Sequence, residues 1–144
     1  MAIPKHLKHK PIYGIEEYAI IDGQYKNDTD VKGLSIGKAQ WSNADFVPAV
    51  KVWRQPNGRW SRQSEETTIT RALDMAMLVI KVLDNHYNGS VLDIMTSVYG
   101  SLKVEKLDTD QVLITELNNY LDANRSDIQA HIKLLKDAIN AYKE

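Results

Sequence analysis

Apolar and polar positions change their spacing along the chain, and those changes divide it into segments. From Met1 to about Lys32 the pattern is irregular, broken by Pro4, Pro11, Gly14, Gly23 and the polar run Lys26–Asp30, so residues 1–32 are expected to wrap the body of the protein as irregular chain. Residues 33–64 read as a β-meander. Its three strands, Leu34–Trp41, Val47–Gln55 and Arg59–Gln63, are rich in Val, Ile and Trp. Between the last two, Gln55-Pro56-Asn57-Gly58-Arg59 spells a tight turn, with Pro presetting φ and Asn and Gly tolerating positive φ. Setting Gln55 opposite Arg59 places Val52 across from Arg62 and puts Val50, Val52, Arg54, Trp60 and Arg62 on one face, expected to meet the core with Arg54 stacked on Trp60. Lys51, Trp53, Gln55, Arg59 and Gln63 are then expected on the outer face, and a register error of one residue would exchange the two.

Helical spacing takes over at residues 65–88. Ile69, Ala72, Leu73, Ala76, Met77, Ile80 and Leu83 predict a helix capped by Thr67 or Thr68 and stopped by Asn88-Gly89. Met75, Leu78, Val79 and Val82 fill its second side, which marks it as the central helix. Val91–Val98 fits a short helix or a strand, and Leu102–Leu107 a strand. Residues 108–143 predict two amphipathic helices. One is capped by Asp108 or Thr109 and carries Leu113, Leu117, Tyr120 and Leu121; the other opens at Ser126-Asp127-Ile128-Gln129 and carries Ile128, Ile132, Leu135, Ile139 and Tyr142. Joined through Asn124-Arg125, they are expected to form a helical hairpin. The predicted fold is α+β: a small antiparallel β-meander packed on a central helix, with a C-terminal helical hairpin, all in one domain over 1–144.

Composition narrows the chemistry. The 144 residues are 43% hydrophobic and 26% charged, with a formal net charge of -1, as for an ordinary globular domain and without the basic excess of proteins that neutralise nucleic-acid phosphates. A nucleic-acid partner is therefore not expected. No cysteine is present, which excludes disulfides, thiolate nucleophiles and Cys-ligated metals. Pro4, His6, Lys8 and His9 stand where a secretory signal needs an apolar core, and the longest apolar stretch, Met75–Leu83, is too short for a bilayer. A cytoplasmic location with no membrane association is expected. The Asn-x-Ser/Thr tripeptides at Asn27, Asn88 and Asn124 are read as chance.

The most unusual segment is Trp41–Glu66. Between Val47 and Ser64 it holds Lys51, Arg54, Arg59 and Arg62 with no acid, interleaved with Trp53 and Trp60, before Glu65-Glu66. Arginine grips carboxylates and phosphates with a planar fork and tryptophan offers a stacking surface, so Trp53, Arg54, Arg59, Trp60, Arg62 and Glu65 are the candidate binding residues. The expected partner is a protein or an anionic small molecule. The plainer reading takes precedence: tryptophans that pack the sheet, and arginines solvated or paired with Glu65, Glu66 or acids elsewhere.

Recognised catalytic patterns are missing. His6 and His9 are three apart but lack a third ligand, so no metal or cofactor is expected; Asp28 and Asp30 fail as a calcium loop because Lys32 and Ala39 occupy ligand positions. His86 and His131 read as structural. Glu16-Glu17 and Glu65-Glu66 are neighbours that point apart. Gly33-Leu34-Ser35-Ile36-Gly37 has a serine between glycines without the spacing of a nucleophile elbow.

Ile3-Pro4-Lys5-His6-Leu7-Lys8-His9-Lys10-Pro11-Ile12, Lys51-Val52-Trp53-Arg54 and Trp60-Ser61-Arg62-Gln63-Ser64-Glu65-Glu66 resemble an uncharacterised bacterial family known only as a domain of unknown function. The resemblance covers roughly the first half of the chain. It implies a bacterial cytoplasmic origin and carries no activity to any residue. Function is thus left among three readings: a non-enzymatic binding or regulatory module using the Trp/Arg sheet; a small enzyme acting on a phosphorylated or nucleotide-like substrate, with Arg54 and Arg62 holding the anion and His6, His9 or Glu65 moving protons; and a structural homo-oligomer subunit, a homodimer being the commonest form, using the C-terminal helices.

Overall fold

The computed structural model describes residues 2–63, 65–92, 94–98, 100–107 and 110–144. Its α+β fold has a four-stranded antiparallel sheet, a central helix and two C-terminal helices. Backbone contacts divide the chain into two compact units, Met1–Leu73 and Asp74–Glu144.

In the first unit β1 (Lys10–Ile15), β2 (Val31–Lys38), β3 (Pro48–Arg54) and β4 (Glu65–Thr67) lie side by side in sequence order. The strand β1 falls inside the segment expected to be irregular. Its pairing with β2 shifts between Pro11 and Tyr13, and an edge strand with such an irregularity accommodates a proline, which has no N–H to donate. Residues 2–9 precede β1 without regular secondary structure; Ile3, Pro4 and His9 among them are buried, and Ile3 lies over Gly33 of β2.

The turn after β3 forms as its residues dictate. Asn57 and Gly58 both take positive φ, 54° and 77°, and Arg59 N–H closes onto Pro56 O at 3.2 Å. The strand predicted at Arg59–Gln63 does not form. Ser61 N–H donates to Arg54 O and Gln63 N–H to Ser61 Oγ, so turn bonds take up donors that a ladder would use. Pairing with β3 resumes at Glu65, which stands opposite Val52 where Arg62 was expected.

The face assignment is also reversed. Burial alternates along β2 and β3, and the inward set is Val31, Gly33, Ser35 and Gly37 with Ala49, Lys51 and Trp53. Val50, Val52 and Arg54, expected inside, are only half-buried. The face that is buried carries Gly33, Ser35, Gly37, Ala49 and Lys51 beside Trp53, so aliphatic Val50 and Val52 do not mark the inside. Gly37 shows why small residues are required there: a Cβ at that position would lie 2.0 Å from Lys10 O of β1.

The helix α1 (Ile69–Asn88) begins where Thr68 Oγ1 accepts from Arg71 N–H at 3.3 Å and ends before Gly89, as its caps predict. Leu83 is its buried residue; Leu73, Met75, Leu78 and Val79 are exposed. In the second unit the ambiguous stretch is a hairpin, β5 (Ile94–Ser97) with β6 (Gly100–Lys103), ending short of the predicted Leu107. Next come α2 (Gln111–Ala123) and α3 (Arg125–Ala141). Asp110 caps α2 by accepting from Val112 N–H at 2.9 Å, whereas the expected caps Asp108 and Thr109 lie outside the described residues. The capping box at Ser126 is not used, because α3 begins one residue earlier, at Arg125. Asn124 alone joins the two helices, and Asn124 N–H to Tyr120 O and Ile128 N–H to Asn124 O carry helical bonding through the junction. His86 pairs with Asp122 at 2.7 Å, Tyr87 donates to Leu121 O at 2.6 Å, and Arg125 lies over the Tyr87 ring; His131 bonds Asp127 O one turn before it.

Candidate functional site

Ser35, Lys51 and Glu66 form a row across β2, β3 and β4, since Ser35 is opposite Lys51 and Lys51 opposite Glu66. His9, arriving just before β1, completes a buried polar cluster with them. His9 Nδ1 lies 2.8 Å from Glu66 Oε2, His9 Nε2 lies 3.2 Å from Ser35 Oγ, and Trp53 Nε1 lies 2.7 Å from the same Oγ. The indole N–H can only donate, so Ser35 accepts from it. For a neutral imidazole the rest follows: the Ser35 hydroxyl donates to Nε2, and Nδ1–H donates to the Glu66 carboxylate.

His9 and Trp53 are each 1% exposed and Ser35 2%. Lys51 is also buried, with its ammonium 4.1 Å from the Trp53 ring centroid. Desolvation pushes that ammonium below the usual lysine range, and the Glu66 charge partly opposes the shift. Trp53 is packed edge-on between His9 and Trp60, with centroids 5.7 and 5.9 Å away. Among the described residues no buried side-chain nitrogen or oxygen lacks a partner, as a buried polar network needs if it is to stabilise the fold.

The order Ser35, His9, Glu66 is that of an acyl-transfer triad. Its setting is that of a core. The Ser35 Oγ is shut from solvent, shares a bond with the indole, and lines neither of the two described cavities. The cluster therefore fastens the N-terminal segment to three strands.

The candidates named from sequence divide between locations. Adjacent residues on β4 point to opposite faces: Glu66 goes inward to His9, while Glu65 goes to Arg54. Arg54 Nη1 also contacts Asp30 at 2.6 Å, so its guanidinium, expected on Trp60, is held by two carboxylates, which raise its pKa, Glu65 most. The indole that carries a cation is Trp53, under Lys51. Trp60 is half-buried; Arg59 and Arg62 are exposed, and neither guanidinium has an ion pair among the described residues. Of the groups named for the enzyme reading, Arg54 and Glu65 meet in an ion pair, whereas His9, paired with Glu66, lies on the opposite face of the sheet and His6 is exposed. Among the described residues no three His, Asp or Glu side chains group as metal ligands. None of the described helices is long and apolar enough to cross a membrane. From the sequence Ser35 is weighed only as a nucleophile and Glu66 only as an arginine partner or half of an adjacent pair; the small-residue alternation Gly33-x-Ser35-x-Gly37 was the available signal of a buried polar row.

The α+β fold and the buried polar cluster of its first unit define the class of this protein. Residues 1–144 match the model of a family of unknown function (DUF6530), and the chain belongs to that family over its whole length. No curated protein and no solved structure matches it.

Proposed function

We propose that the protein is a non-enzymatic binding module that presents Arg59 and Arg62, flanking Trp60, to an acidic segment of a partner protein. The observation that carries this reading is the different state of the three arginines: Arg54 is taken by Asp30 and Glu65, whereas Arg59 and Arg62 stand exposed on the Gln55–Gln63 loop. That loop is held in place. Gln55 N–H donates to Asp30 O at 2.7 Å, Ser61 N–H to Arg54 O at 2.8 Å, and Trp60 abuts the buried Trp53. A pre-ordered loop loses little conformational entropy on binding, and arginine and tryptophan are the side chains most often at the energetic centre of interfaces. Neither arginine lines a described cavity, which favours a carboxylate-bearing surface over an enclosed small anion.

The test is a tryptophan-fluorescence titration of the whole chain with hexaglutamate, ATP and inorganic phosphate at two salt concentrations. The reading expects a saturable response to hexaglutamate that weakens with salt. Response to ATP or phosphate alone would move the proposal to a small anion, and no saturable response to any would remove it.

A further inference from the structure

The second unit contains a cavity of about 760 Å³, within the range of small-molecule sites. We infer that it binds a small aliphatic molecule with a cationic end. Its described walls are Met77 and Leu78 of α1, Leu102 of β6, and Val104 and Leu107 beyond it. Val104 is buried, whereas Leu102 and Leu107 stand largely exposed and offer aliphatic surface that an apolar chain would cover. Among the described residues three charges border this lining: Asp74, Glu105 and Lys103. None of the three side chains has an ion pair or hydrogen bond among the described residues. Two carboxylates against one ammonium leave the described part of the rim net negative, which attracts an amine and repels a carboxylate or phosphate head. Thr96 and Ser101 add hydroxyls that can accept from an ammonium.

Methyl NMR of the whole chain labelled at methionine provides the readout, because Met77 lines the cavity and Met75, two residues earlier on α1, does not. Octylammonium, octanol and octanoate are titrated below micelle-forming concentrations. The expected result is a saturable shift of the Met77 methyl that leaves Met75 in place, with octylammonium severalfold tighter than octanol and octanoate weakest. Leu102→Ser, at an exposed position where folding is not at risk, should abolish the shift, and Asp74→Asn/Glu105→Gln should remove the preference for the amine while retaining octanol. No saturable Met77 shift, octanoate binding as tightly as the amine, or a shift unchanged in Leu102→Ser would overturn the inference.

Discussion

Ser35→Ala removes one oxygen from the middle of the buried cluster. The Cβ stays, so β2 and its register are untouched, but two groups lose their partner. Trp53 Nε1–H, 2.7 Å from Oγ, becomes a buried donor with nothing to donate to, and His9 Nε2 loses a longer contact at 3.2 Å. A buried polar group left unsatisfied costs about 1–3 kcal/mol. Giving the short indole bond most of that range and the longer one its lower end, the loss is about 2–4 kcal/mol. For a chain of this size each kcal/mol lowers Tm by about 2–4 °C, so a fall of roughly 4–16 °C is expected. Urea unfolding followed by tryptophan fluorescence is suited to the measurement, because Trp41, Trp53 and Trp60 all belong to the Met1–Leu73 unit. Trp53→Phe supplies the second arm. With the donor gone, Ser35→Ala should cost about 1–2 kcal/mol less than in the parent, the coupling expected of groups in direct contact. A loss below about 0.5 kcal/mol, the usual range of neutral surface substitutions, or additive effects of the two changes, would refute the network.

Gly37→Ala should be worse than its single methyl suggests, because the new Cβ meets the Lys10 carbonyl at 2.0 Å, a backbone atom that cannot rotate away; a loss of about 1–3 kcal/mol with β1 displaced is expected, and hydrogen exchange at β1 amides unchanged by the substitution would contradict it. Lys51 has its pKa lowered chiefly by desolvation, so in the alkaline range below 10.5 the unfolded chain holds a proton that the folded chain releases, and stability from this residue rises with pH. The stability of the parent relative to Lys51→Met should therefore increase as pH approaches 10.5; a flat or falling difference would be incompatible with a desolvated ammonium. Tyr18 titrates in the opposite sense, its pKa raised by burial and Asp22, but it is common to both proteins and cancels in the comparison.

Local chemistry was legible at one turn and at both ends of α1. Pro56-Asn57-Gly58 made its turn, Thr68 and Gly89 bounded α1, and two of the three predicted strands lie within a few residues of β2 and β3. What failed was the inference from apolarity to burial. Lys51 and Ser35 are inside because Glu66, His9 and Trp53 satisfy them, and that satisfaction is tertiary, linking residues far apart in sequence. Pro11 and Gly14 read as punctuation, yet both lie within an edge strand. Of the candidate site, the presence of Arg59 and Arg62 was legible; the engagement of Arg54 by Asp30 was not, since no spacing rule connects them.

The most direct test of the proposed function is the affinity of Arg59→Ala/Arg62→Ala for hexaglutamate, measured beside the parent and beside Lys133→Ala, which removes a surface cation of α3. The account predicts that the double variant keeps the parent's thermal stability and loses binding, while Lys133→Ala retains both. Equal loss in the two variants would show that the parent responds only to overall charge, and unchanged binding in the folded double variant would contradict the assignment of these two arginines to a partner.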